Sequence, residues 1–122
     1  MAIQDVVVVS VPVSDQERAK AFYIETLGFE LISEDDSIPG LHWIRVAPKG
    51  ASTSLTLVTW FESMPPGSLQ GLVLRSSDLR ADYEVLMAKG VTFDGPPEPQ
   101  PYAALETVVR DPDGNGLVLQ QA

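Results

Sequence analysis

Cysteine is absent from the 122 residues, which excludes disulfides, thiolate metal sites and a cysteine nucleophile. Basic residues are scarce: 8 Lys and Arg stand against 17 Asp and Glu, for a net charge of −9. Nothing reads as a basic stripe, so nucleic acid is not an expected partner. A field of this sign draws cations, although an acidic surface equally serves solubility alone. No apolar run approaches the ~20 residues of a membrane span. Met1-Ala2-Ile3-Gln4-Asp5 lacks the positive charge of a signal peptide, so a cytoplasmic protein without a membrane partner is expected.

What is present is written twice. Ser14-Asp15-Gln16-Glu17-Arg18-Ala19 opens a helical pattern that closes at Leu27-Gly28-Phe29, and Ser77-Asp78-Leu79-Arg80-Ala81-Asp82 opens another that closes at Lys89-Gly90-Val91. A strand-like run precedes each helix and more follow it. Stacked-repeat proteins need about three units or more, so a pattern present twice reads as a duplicated supersecondary unit. We expect one domain over residues 1–122, with module one at 1–61, a Pro-containing linker at 62–68 and module two at 69–122. A half of roughly 60 residues is marginal by itself, so the halves should share a core or pair with another chain.

Within module one, residues 6–13 have the β-branched character of a buried strand. Ser14 and Glu17 make a capping-box pattern, and Ala19, Phe22, Tyr23, Thr26 and Leu27 recur on one helix face. Residues 29–33, 41–47 and 53–60 follow as strands, with 34–40 an acidic loop. Module two repeats the order: strand 69–76, helix 78–89, then strands 91–94, 104–110 and 117–120. The Pro-rich stretch 95–101 reads as stiff and extended. Asp111-Pro112-Asp113-Gly114 has the chemistry of a turn joining the last two strands.

Each module is thus strand, helix, strand, strand, strand, an α+β chain. On Val13-Ser14-Asp15 with Arg18-Ala19, Phe22-Tyr23, Leu27-Gly28-Phe29, and the closing Asp111-Pro112-Asp113-Gly114-Asn115 before Leu117-Val118-Leu119, the chain resembles the vicinal oxygen chelate superfamily. That superfamily includes glyoxalase I, bleomycin and fosfomycin resistance proteins and extradiol dioxygenases. The resemblance covers nearly the whole chain. It implies two βαβββ modules whose sheets curl into an incomplete mixed β-barrel, helices outside, and a homodimer. It also implies a divalent metal held near the middle of the first and last strands of each module, polarising substrate oxygens.

Carried onto this sequence, the four metal positions fall at Val8, Thr56, Leu72 and Val118, none of which is a carboxylate or imidazole. No metal or other cofactor is therefore expected, which sets aside the metal-dependent activities of the family. By strand alternation Ser10, Trp60, Gln70, Leu74 and Gln120 should share that face, giving an apolar cleft with a few hydrogen-bonding groups. Trp60 could stack on an aromatic ligand, or pack in the core or at a dimer interface. Trp43 and Arg45 share one face of their strand and His42 the other, and either could look into the cleft. Tyr102 sits where a loop could cover it.

Two functions are open on these residues. One is a metal-free binding protein that sequesters an aromatic or cationic small organic molecule, with Val8, Ser10, Trp43, Thr56, Trp60, Leu72, Tyr102 and Val118 as its lining. The other is a lyase, isomerase or dioxygenase-like enzyme with Glu106 or His42 as base; against it, His42 lacks an identifiable carboxylate partner and Glu106 could be an ordinary solvated charge.

Overall fold

The computed structural model describes all 122 residues, which form two compact units, Met1–Pro65 and Pro66–Ala122. In the first, strand β1 (Val8–Pro12) leads into helix α1 (Gln16–Ala21). Asp15 caps α1, its side chain accepting the backbone N–H of Arg18; the expected Ser14 cap gives way because Ser14 Oγ accepts the Arg18 guanidinium instead. The helix widens into a π-helical segment, Phe22–Thr26, where Leu27 N–H donates to Phe22 O. Gly28, at φ +78°, then turns the chain so that Phe29 N–H reaches Tyr23 O.

Three strands follow: β2 (Glu30–Ile38), β3 (Leu41–Ala47) and β4 (Ser54–Val58). Their order in the sheet is β1-β4-β3-β2, with β1 parallel to β4 and the other pairs antiparallel. The acidic segment 34–40, expected as a loop, instead continues β2 to Ile38 before turning at Gly40. Strand pairing needs only backbone groups, every β2 residue is exposed, and the Glu34 carboxylate is met by Lys20 and His42.

Register divides the sheet into two faces. Val11, Ile44, Val46, Leu55 and Leu57 are buried together on the side of α1, whose Ala19 is fully buried, as is Tyr23. Full burial of each large side chain stabilises by about 1.5–3 kcal/mol. Gln16 Nε2 ties the start of α1 to the sheet through His42 O at 2.7 Å and Leu57 O at 2.8 Å. Val8, Ser10, Trp43, Arg45, Ser54 and Thr56 alternate onto the face away from the helix.

The second unit repeats this topology. Strand β5 (Leu72–Arg75), helix α2 (Leu79–Ala88) capped by Asp78, and strands β6 (Thr92–Phe93), β8 (Ala103–Arg110) and β9 (Gly116–Gln121) form a sheet ordered β5-β9-β8-β6. A further short strand, β7 (Glu98–Gln100), pairs with β8 out of the Pro-rich stretch. Pro99 is tolerated there because β7 pairs on one side only. Neither sheet closes into a barrel.

The Asp111 turn closes the β8–β9 hairpin, with Gly114 N–H on Asp111 O at 2.9 Å. Asn115, fully buried, donates through Nδ2 to Asp111 Oδ2 at 2.8 Å and accepts Leu69 N–H through Oδ1 at 3.0 Å. One side chain thus fixes both the turn and the incoming strand. Gly67, at φ +84°, passes so close that a Cβ would lie 2.2 Å from Asp113 O.

Candidate functional site

In the first unit the face away from α1 carries most of the residues expected as lining. Ser10 and Arg45 are the two cross-strand neighbours of Thr56, and Val8 pairs with Ser54. Trp43, two residues before Arg45, meets Trp60 with ring centroids 5.1 Å apart and planes tilted at 58°. Phe61 extends the aromatic group, 6.1 Å from Trp60. Sequence could not choose between the faces of β3; the structure puts Trp43 and Arg45 with Ser10 and Thr56, and His42 with the helix.

Two polar features of this face stand out physically. Thr56 Oγ1 is buried, the residue being 0 % exposed, and has no hydrogen-bond partner. Arg45 is half-buried and donates through Nε and Nη2 to Ser54 Oγ at 3.0 and 2.9 Å, with no carboxylate in range. Guanidinium groups drawn into a surface are ordinarily paired.

In the second unit, Val73, Val118 and Val108 form one cross-strand row away from α2, with Val73 50 % exposed; Arg75, Gln120 and Glu106 form the next. Leu72 is not among them. It pairs with Leu117 on the helix side, so the residue sharing Val118's face is Val73, and Leu74 likewise turns to the helix with Leu119. The expected register slips by one because Leu72-Val73-Leu74 is apolar on both faces and carries no period-two signal.

Glu106 is held by two donors, Tyr102 Oη at 2.6 Å and Gln120 Nε2 at 2.8 Å. The Tyr102 hydrogen bond, then that of Gln120, lowers its pKa below the ordinary carboxylate value. A carboxylate so held is a fixed anion rather than a base poised near neutrality. Tyr102 is 67 % exposed, at the turn into β8.

His42 has the carboxylate partner that sequence could not identify: Glu34, 2.7 Å from Nε2. Glu34 also accepts Lys20 Nζ at 2.6 Å, and these two hydrogen bonds, Lys20 first, lower its pKa. Glu17 completes a cluster in which the ligand-type atoms of Glu17, Glu34 and His42 lie within 4.8 Å of one another. Lys20 already supplies a cation there. His42 also lines a polar hollow of about 300 Å³ with Gln16 and Asp36. The two residues considered as bases, His42 and Glu106, therefore belong to different units and different local networks.

The positions at which the resemblance places a metal do not fit a divalent ion. Val8, Thr56, Val118 and either Leu72 or Val73 offer one hydroxyl and no carboxylate or imidazole.

The βαβββ order is thus present twice, with the first and last main strands of each copy parallel. The chain belongs to the Glyoxalase/Bleomycin resistance protein/Dioxygenase superfamily, whose model matches residues 5–119. It is similar to TnmS3, an antibiotic binding protein from Streptomyces sp. CB03234, at 52% identity and TM-score 0.93, over 99% of this chain and 98% of that one. A superfamily member from Sphaerobacter thermophilus DSM 20745 is 37% identical with TM-score 0.94, over 100% of both chains. The Bacillus subtilis (strain 168) protein YetH is 34% identical over 98% of this chain and 99% of its own length. No helix is long and apolar enough to cross a membrane.

Proposed function

We propose that this chain binds a small aromatic molecule reversibly, without a metal, on the face that carries Trp43 and Trp60, and acts by sequestering it. The observation that carries the reading is the pairing of these two rings on the face that also bears the buried, unpartnered hydroxyl of Thr56. Paired aromatic rings next to a few fixed polar groups suit a planar guest: the rings supply contact area and the polar atoms orient it. The antibiotic-binding name of TnmS3 supports the same class of activity. Val8 and Ser10 flank the site in the first unit; Tyr102 and Val118, also expected as lining, belong to the second. Homodimerisation is part of the reading and is tested by light scattering, where a monomer would remove it.

Both Trp residues of the chain lie in this pair, so intrinsic fluorescence reports on the site. Titration with a panel of planar aromatic compounds of either charge should give saturable quenching at one equivalent per chain. Absence of any saturable change across the panel would contradict the reading.

A further inference from the structure

Resting on that reading, we propose that the ligand presents an anionic or carbonyl-type oxygen on its aromatic ring, and that Arg45 with Thr56 is the pair that selects it. The net charge of −9 favours cations at long range. At physiological salt, however, that field is screened beyond about 8 Å, and the groups in contact decide. This face carries Asp35, across from Trp43 and accepting Ser37 N–H, and the cation Arg45, half-buried, bound to a hydroxyl and to no carboxylate. Nε and Nη2 are directed to Ser54, which leaves Nη1 without a protein acceptor. A guanidinium in this state is an unfilled site for a carboxylate, phenolate or carbonyl oxygen.

Thr56 supplies an independent observation. Its hydroxyl is fully buried, unpartnered, and directly across the strand from Arg45. Thr56 Oγ1 is reached only when a neighbour moves. Arg45, tethered to Ser54 Oγ alone, is the neighbour that an anion would draw outward. The same ligand oxygen then accepts from Nη1 and from the Thr56 hydroxyl, while Trp43, two residues along β3, receives the ring. This arrangement disfavours a cationic group at the Arg45 end of the face, where an ammonium would meet a guanidinium; the nearest carboxylate by register, Asp35 across from Trp43, already accepts Ser37 N–H.

The test uses three probes of one shape, 2-naphthoate, 2-naphthol and 2-naphthylmethylammonium, titrated into the full chain and followed by Trp fluorescence. Naphthoate should bind roughly tenfold or more tighter than the ammonium, as a charge-assisted hydrogen bond requires. Arg45→Gln should remove that preference, lowering naphthoate affinity by more than naphthol affinity. Arg45→Lys, which keeps the charge without the fork, should restore only part of it. Thr56→Val should weaken naphthoate while its thermal midpoint stays at or above that of the parent chain, a combination that a merely structural threonine would not give. Equal binding of all three probes, or a naphthoate affinity untouched in Arg45→Gln, overturns this inference and leaves the binding reading standing. Silence with all three overturns both.

Discussion

Trp43 and Trp60 touch although one sits in β3 and the other in the coil beyond β4, their ring centroids 5.1 Å apart. Such a contact ties an irregular segment to a regular strand. A tilted aromatic pair contributes about 0.5–1.5 kcal/mol beyond the area it buries. If the guest ring uses Trp60 as a wall, Trp60→Ala should lower affinity for a planar aromatic roughly three- to tenfold, and Trp60→Phe should recover most of it. The residual Trp43 emission provides the readout.

Thr56 makes a second expectation about stability rather than binding. A buried hydroxyl without a partner forfeits about 1–3 kcal/mol of hydration, so replacing it by an isosteric methyl removes a penalty. Thr56→Val should unfold at the same or higher urea concentration than the parent chain, by up to about 1 kcal/mol. Thr56→Ala should fall below Thr56→Val, because it also leaves a void. Equilibrium urea curves of the three proteins check the order.

Asn115 predicts the opposite sign. Its side chain joins Asp111 Oδ2 to Leu69 N–H inside the second unit, and it is fully buried. Asn115→Ala removes both hydrogen bonds at once and should cost about 2–3 kcal/mol. Hydrogen exchange at the Leu69 amide should accelerate in that variant more than exchange in α2.

Glu106 gives a pH dependence. Its folded pKa is depressed, chiefly by Tyr102 and then by Gln120, so its stabilising contribution is present above the unfolded carboxylate value of about 4.3. That contribution is lost as pH falls through the lower folded value. Tyr102→Phe should move the Glu106 midpoint upward toward the ordinary value, followed by carboxyl-carbon NMR between about pH 2 and 6. Glu34 should shift in the same direction in Lys20→Met, since the Lys20 hydrogen bond is the largest cause of its lowered pKa.

Much of the fold was written locally. Asp15 and Asp78 mark helix starts because a carboxylate there accepts a backbone N–H, and Gly28 and Gly90 mark ends because both take positive φ. The Asp111 turn follows from Pro and Gly at fixed offsets. Other features carry no local signal. Extension of β2 through Glu34, Asp35 and Asp36 rests on pairing with β3 and on the Glu34–His42 contact, both of them long-range. Alternation in β3 shows that Trp43 and His42 point opposite ways, but which of them faces the helix depends on where α1 lands. The face taken by Leu72 has no local signal either, because Leu72-Val73-Leu74 is apolar on both faces. Arg45 was visible as Trp43's neighbour, yet its lack of a carboxylate partner could be read only in three dimensions.

The most direct test of the account is residue-resolved NMR of the ¹⁵N-labelled chain titrated with 2-naphthoate. The prediction is saturable shifts of the Trp43 and Trp60 indole N–H signals and of the Arg45 and Thr56 amides, with the Glu34, His42 and Lys20 cluster unmoved. Shifts confined to the helix side, or saturable binding that leaves both indole signals in place, would contradict it.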